Sequence, residues 1–124
     1  TLGHALEAAT GYRHFTHGEA VAWGLLAAAR LGLRHQTLTA KAAGVLESAV
    51  AAIGPLPSIT DIDPKSLRPH IGRDKKRDAA GVGWVLPTDN GVVLNQRIET
   101  EEALDVFREL QARSNSEFGI RNSE

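Results

Sequence analysis

With 124 residues, 42% hydrophobic and 23% charged, the chain has the composition of one globular domain with a real core and is too short for two ordinary ones. A formal net charge of −1 gives no general attraction for nucleic acid or an anionic membrane, and the lack of cysteine excludes disulfides and thiolate metal sites. The longest apolar run, Ala20 to Leu33, is shorter than the roughly 20 residues of a membrane crossing and contains Arg30, so it reads as a buried helix.

The chain contains no methionine and opens on Thr1 directly ahead of its densest motif, which is expected of a piece of a larger protein. Leu2 to Ala9 reads as a helix on which His4 and Glu7, three apart, share a face, close enough for an imidazole and a carboxylate to interact. Gly11-Tyr12-Arg13 breaks the apolar period and reads as a loop. Thr16-His17-Gly18-Glu19 then has the form of a capping box, with Phe15 ahead of it as a staple against Ala20. That places His17 in the first turn of the next helix. On spacing alone, His4 and His17 are candidates for a metal or acid/base pair, with Glu7 and Glu19 as further donors. The other reading, hydrogen-bonded structural histidines and a glutamate that only caps, stands beside it. His14, His35 and His70 are possible donors too, but none has a recognised ligand spacing, and they read first as structural. There is no H-E-x-x-H, and the H-x-E of zinc deaminases, which His17-Gly18-Glu19 resembles, needs a cysteine pair that is missing.

The Ala20 to Leu33 helix is apolar on nearly every side, so it is expected at the centre of a bundle, ending near Gly32. A third helix runs from about Thr39 to Ile53, with Ala42, Val45, Leu46, Val50 and Ile53 as its apolar side. Gly54-Pro55-Leu56-Pro57 stops it, and Asp63-Pro64 starts a short helix to about Ile71, strained or ended by Pro69. The charged run Arg73 to Arg77 is either a solvated loop or an anion site in which lysines neutralise phosphate or carboxylate oxygens. Gly83 to Pro87 and Val92 to Leu94 flank Thr88-Asp89-Asn90-Gly91 and read as a hairpin. A last amphipathic helix starts at Thr100-Glu101-Glu102 and buries Ala103, Leu104, Val106, Phe107 and Leu110. The expected class is mainly α: a helical bundle domain over residues 1–113 with one small β-hairpin, followed by a flexible tail from Ser114 to Glu124. No glycine-rich phosphate loop or dinucleotide fingerprint is present.

Three segments together resemble the 3-dehydroquinate synthases, a family of sugar-phosphate cyclases. Thr1-Leu2-Gly3-His4-Ala5-Leu6-Glu7 is similar to the end of the family's G-H-T-x-G-H-A-x-E motif, and His17-Gly18-Glu19-Ala20-Val21-Ala22-Trp23-Gly24 to its H-G-E-A-V-A-x-G segment. Asp74-Lys75-Lys76, followed by Gly81 and Trp84-Val85-Leu86-Pro87, resembles the family's D-K-K stretch with its glycine and F-V-L-P. Beyond Pro87 the chain departs from the pattern, with Asp89-Asn90-Gly91 where the family usually has an Ile-Gly pair.

The resemblance implies a C-terminal helical domain, truncated at its N-terminus, of an enzyme of the shikimate pathway. It implies a catalytic zinc or cobalt ion held by a glutamate and two histidines, of which His17 matches the second histidine, the other two ligands lying before Thr1. His4 matches an active-site histidine that is not a ligand and is the candidate catalytic and substrate-binding residue; Lys75 or Lys76 matches a lysine on the anionic substrate. NAD is expected to bind a separate N-terminal domain, and the isolated chain is expected to be inactive. The expected partner is a small sugar phosphate, with no nucleic acid and no membrane, in a cytoplasmic enzyme whose homodimeric assembly is left open. Other cyclases making deoxy-inosose or valiolone, metal-dependent alcohol or glycerol dehydrogenases, and a non-catalytic helical module are the alternatives.

Overall fold

Leu2, Ala5 and Leu6 return to one side of a helix at the i, i+3, i+4 spacing, and all three are buried in the main core. A computed structural model, which describes residues 2–71 and 82–117, forms this helix, α1, over Leu2–Ala9. It ends in a Schellman closure: the Gly11 N–H donates to Ala8 O at 3.2 Å and the Tyr12 N–H to Glu7 O at 2.8 Å. Gly11 and Tyr12 take left-handed φ values of 71° and 61° there, which accounts for the loop expected at this point.

Helix α2 spans His17–Arg34, with Thr16 as its N-cap. The capping box is complete, the Glu19 N–H donating to Thr16 Oγ1 at 3.1 Å and the Thr16 N–H to Glu19 Oε1 at 2.9 Å. Phe15 and Ala20, the expected staple pair, are buried in the same core. The helix ends at Arg34, two residues beyond Gly32 and so near the expected point, but Gly32 is not its left-handed residue. A β-carbon there would lie 3.1 Å from Thr37 Oγ1 and 3.2 Å from Leu38 Cβ, so this glycine makes room for the returning chain. The left-handed position falls instead on Gln36, φ 60°, within a second Schellman closure in which Thr37 N–H donates to Gly32 O at 2.9 Å.

Thr39 caps α3, Ala40–Ile53, whose buried residues are Ala43 and Val50. Val45 and Ile53, expected inside, are 66% and 77% exposed, because α3 rests on α2 along the stripe that carries Ala43 and only a thin side of it is covered. Asp63 caps a 3-10 turn, Pro64–Leu67, which passes directly into α4, Arg68–Ile71. Pro69 therefore sits in a first turn, where its missing N–H costs nothing.

Strands β1, Val82–Pro87, and β2, Val92–Ile98, pair antiparallel in a two-stranded sheet. Trp84 faces Gln96 and Leu86 faces Val93, so Leu94 and Asn95 together oppose Val85 in a bulge, with Asn95 at φ 55°. The bulge lets β2 continue to Ile98, beyond the Leu94 end read from the apolar pattern. The turn is tied to α3: Asp89 accepts the Thr39 N–H at 2.9 Å and the Thr39 hydroxyl at 2.8 Å. Helix α5, Thr100–Glu117, buries Ala103, Leu104, Val106, Phe107 and Leu110 as expected. It runs four residues into the stretch read as tail, and residues 118–124 lie outside the described ones.

Helix α2 is the centre of the assembly, with α1, α3, α5 and β1 packed on it. Its Trp23 is fully buried and donates its indole N–H to Pro57 O at 3.1 Å. Gln111 on α5 holds the connector in place by donating to Ile59 O at 2.9 Å and Ile62 O at 2.6 Å. Helices α1 and α2 cross with their backbones in close approach. A β-carbon on Gly3 would stand 2.7 Å from Ala20 O, and one on Gly24 3.2 Å from Gly3 N.

Two outcomes follow. Gly3→Ala forces the α1 backbone away from a carbonyl that cannot yield and is expected to cost about 1–3 kcal/mol in urea unfolding, even though alanine is the better helix former. The two Thr39 hydrogen bonds hold the exposed Asp89 carboxyl below its ordinary value of 3.8, so their contribution to stability is present above that value and is lost as pH falls through the lower folded one. Amide exchange at Thr39, corrected for intrinsic rates, is expected to accelerate over that acid window in the wild type and not in Asp89→Asn.

Candidate functional site

The close crossing of α1 on α2 leaves a cleft of about 510 Å³ between these helices and β1. Gly3, His4 and Glu7 line it from α1, His17, Val21 and Leu25 from α2, and Gly83, Trp84 and Val85 from β1. A second hollow of similar size lies between α3 and the hairpin turn, but its walls carry no imidazole.

Within the cleft, Glu7 does not take the His4 partner that its spacing makes possible. Glu7 Oε1 lies 3.0 Å from Nδ1 of His17, ten residues on and across the helix crossing. The carboxylate side chain is 14% exposed and the imidazole 79% exposed, so the ring is held from behind and open in front. An i, i+3 contact within α1 is worth only about 0.2–0.5 kcal/mol. The partner across the crossing sits beside the positive N-terminal end of α2, which favours the carboxylate there. His4 lies on the same wall, exposed to the cleft.

Each member of the pair is held by its own backbone device. Glu7 is the residue whose carbonyl accepts Tyr12 N–H in the α1 closure. His17 is the first residue of α2, directly after the Thr16 cap, and the Glu19 carboxylate is engaged in the box itself. Of the histidines read as structural, His14 has Nε2 at 3.3 Å from Ser58 O and its ring edge-on to Phe15 at 4.5 Å. His35 Nε2 is 2.8 Å from Glu102 Oε1, within the α2–α5 ion pairs that also join Arg34 to Glu109. Lys75 and Lys76, the expected substrate lysines, lie outside the described residues.

An ionised carboxylate can only accept, so the bond to Glu7 places the ring proton of a neutral His17 on Nδ1 and leaves Nε2 with its lone pair. That is the donor chemistry of an imidazole in the coordination shell of a zinc-type ion. Among the described residues no group of three or more His, Asp or Glu side chains could hold a metal ion, so the fit is that of one ligand. The structure places the sequence candidates His4 and His17 on one cleft, and it pairs His17 with Glu7, for which no local spacing gives a signal. Nor does the apolar pattern indicate that Val21, Leu25 and Val85 stay exposed as an apolar rim. The α2 helix is thus central, yet bare along the part of its first half that faces the cleft. No helix among the described residues is long and apolar enough to cross a membrane.

A helical domain whose two leading helices hold an imidazole, backed by a carboxylate, at the mouth of a cleft is the class that this geometry defines. Comparison with known proteins gives the family. The family described as 3-dehydroquinate synthase C-terminal matches residues 1–77, and the chain belongs to it. A protein of Solibacter usitatus named 3-dehydroquinate synthase is 40% identical over 93 residues, which is 75% of this chain and 26% of that protein. One from Koribacter versatilis with the same name is 37% identical over 106 residues, 86% of this chain and 27% of its own length. A third, from Crocosphaera subtropica, is 36% identical over 118 residues, 90% of this chain and 31% of its own. The chain therefore spans about a quarter to a third of the length of these relatives.

Proposed function

We propose that this chain forms the helical side of the active site of a 3-dehydroquinate synthase, which converts 3-deoxy-D-arabino-heptulosonate 7-phosphate into 3-dehydroquinate and phosphate. The observation that carries the reading is the Glu7-backed His17 at the mouth of a cleft that His4 also lines, within a chain of this family. In the reaction a ring alcohol is oxidised, phosphate is eliminated, the ketone is reduced again by the hydride first removed, and the opened ring closes as an intramolecular aldol. When bound, nicotinamide supplies the removal and return of that hydride and the metal supplies polarisation of the hydroxyl at which it occurs.

The chain's own residues have narrower tasks. His17 offers Nε2 as one ligand to zinc or cobalt, and the glutamate and other histidine come from polypeptide ahead of Thr1 in the complete protein. His4 holds or moves a proton at the reacting oxygens of the substrate. Lys75 or Lys76 holds an anionic group of the substrate in place. Val21, Leu25 and Val85 give the cleft an exposed apolar rim.

In the complete protein, His17→Ala is expected to remove most bound metal and most phosphate release, whereas His14→Ala, whose ring serves Ser58 and Phe15, leaves both nearly intact. Metal analysis and a phosphate-release assay without net NADH formation check this; equal losses from the two variants would overturn the assignment. The 124-residue chain alone is expected to bind zinc weakly and to show no cyclase activity. Submicromolar zinc affinity with three ligands from this chain would refute the proposal that the other ligands lie elsewhere.

A further inference from the structure

We infer that Glu7 is a positioning residue for the metal site: it sets the tautomer and direction of His17, so that Nε2 and not Nδ1 is presented to the ion. The inference rests on the proposed role of His17 and adds to it a residue that acts through the ligand.

Three features of the pair point this way. The first is chemical. With Nδ1 at 3.0 Å from a carboxylate oxygen, the neutral ring has one nitrogen engaged and the other left as a lone-pair donor. The second is steric. The Glu7 side chain is 14% exposed against 79% for His17, so the carboxylate backs the ring and does not compete with it for whatever enters from the open side. The third is backbone fixation. Glu7 sits at the α1 closure, where its carbonyl accepts the Tyr12 N–H at 2.8 Å, and the His17 turn is fixed by the Thr16–Glu19 capping box. Glu19, two residues from His17, has Oε1 on the Thr16 N–H at 2.9 Å and so leaves this position to Glu7.

A surface ion pair with no further role would look the same in a contact map but would behave differently. Losing it would change stability slightly and leave the metal untouched. A carboxylate that orients a ligating imidazole also raises its basicity, and losing such a partner typically costs roughly 10–100-fold in metal affinity. Two variants separate charge from geometry: Glu7→Gln keeps a hydrogen-bond acceptor and removes the charge, while Glu7→Leu removes both at similar volume.

The test uses the complete protein, stripped of metal by chelation and labelled with isotopic nitrogen in its histidines, at a pH above the ordinary imidazole range. The His17 ring signals are assigned by their loss in His17→Ala. The expected result is a proton on Nδ1 in the wild type and in Glu7→Gln, and a shift toward the Nε2 tautomer in Glu7→Leu. Zinc affinity, measured by competition with a chelating dye, is expected to fall roughly 10–100-fold in Glu7→Leu and less in Glu7→Gln, with circular dichroism unchanged. A wild-type ring protonated on Nε2, or wild-type zinc affinity in Glu7→Leu beside lost affinity in His17→Ala, would overturn this inference and leave the functional reading standing. Full zinc affinity in His17→Ala would overturn both.

Discussion

The contact on which the site depends is the crossing of α1 over α2 at Gly3, Ala20 and Gly24. Packed helices with ordinary side chains at the crossing lie about 8–10 Å apart. Here a β-carbon on Gly3 would stand 2.7 Å from a backbone carbonyl of α2, so the two backbones touch. Bringing them this close turns the flanks of the crossing into a shared wall. A glutamate on one helix then reaches the first residue of the next, and a histidine one turn earlier on α1 shares its cleft. With side chains at positions 3 and 24 the helices would separate, and Glu7 would fall back on the weaker partner within its own helix.

This closeness is held from behind by an apolar layer that takes no part in the chemistry. Leu2 and Leu6 on α1, Trp23, Leu26 and Leu31 on α2, and Phe107 and Leu110 on α5 are all fully or almost fully buried in one core. The polar groups within that layer are paired where pairing fixes a loop: Trp23 to Pro57, and Gln111 to Ile59 and Ile62. The result is a sided domain. One side of α2 is committed to packing, and the stretch that carries His17, Val21 and Leu25 is committed to the cleft.

How much of this could be read beforehand follows from the range of each signal. The capping box at Thr16–Glu19, the Asp63-Pro64 start, the hairpin turn and the buried stripe of α5 are local patterns, and each appears where the residues place it. Signals that depend on a partner were not legible. Gly32 has the look of a helix end, but its lack of a side chain serves Thr37 and Leu38, which only the fold brings back against it. Val45 and Ile53 obey the helical period, yet both stay exposed, Val45 at the hollow that separates α3 from the hairpin turn. The continuation of β2 past Leu94 hangs on the left-handed Asn95, which the apolar pattern does not register. Glu7 is the most instructive case: its spacing favours His4, and the correct partner is set by a crossing that two glycines allow.

The energetics indicate what the Glu7–His17 pair contributes. An ion pair with one member largely exposed is worth about 0–1 kcal/mol. The capping box beside it and the buried leucines of α1 supply more than that on ordinary magnitudes, about 1 kcal/mol for a cap and about 1.5–3 kcal/mol for each fully buried leucine. The helices would therefore keep their places without the pair, and stability does not explain why a largely buried carboxylate is directed at one nitrogen of an exposed ring. Direction does. A hydrogen bond too weak to hold two helices together is strong enough to choose between two tautomers of one imidazole, because the two neutral forms lie close in free energy. The structure thus separates two tasks that one stretch of sequence carries: glycines and leucines bring the helices together, and the carboxylate decides which face of the histidine the cleft sees.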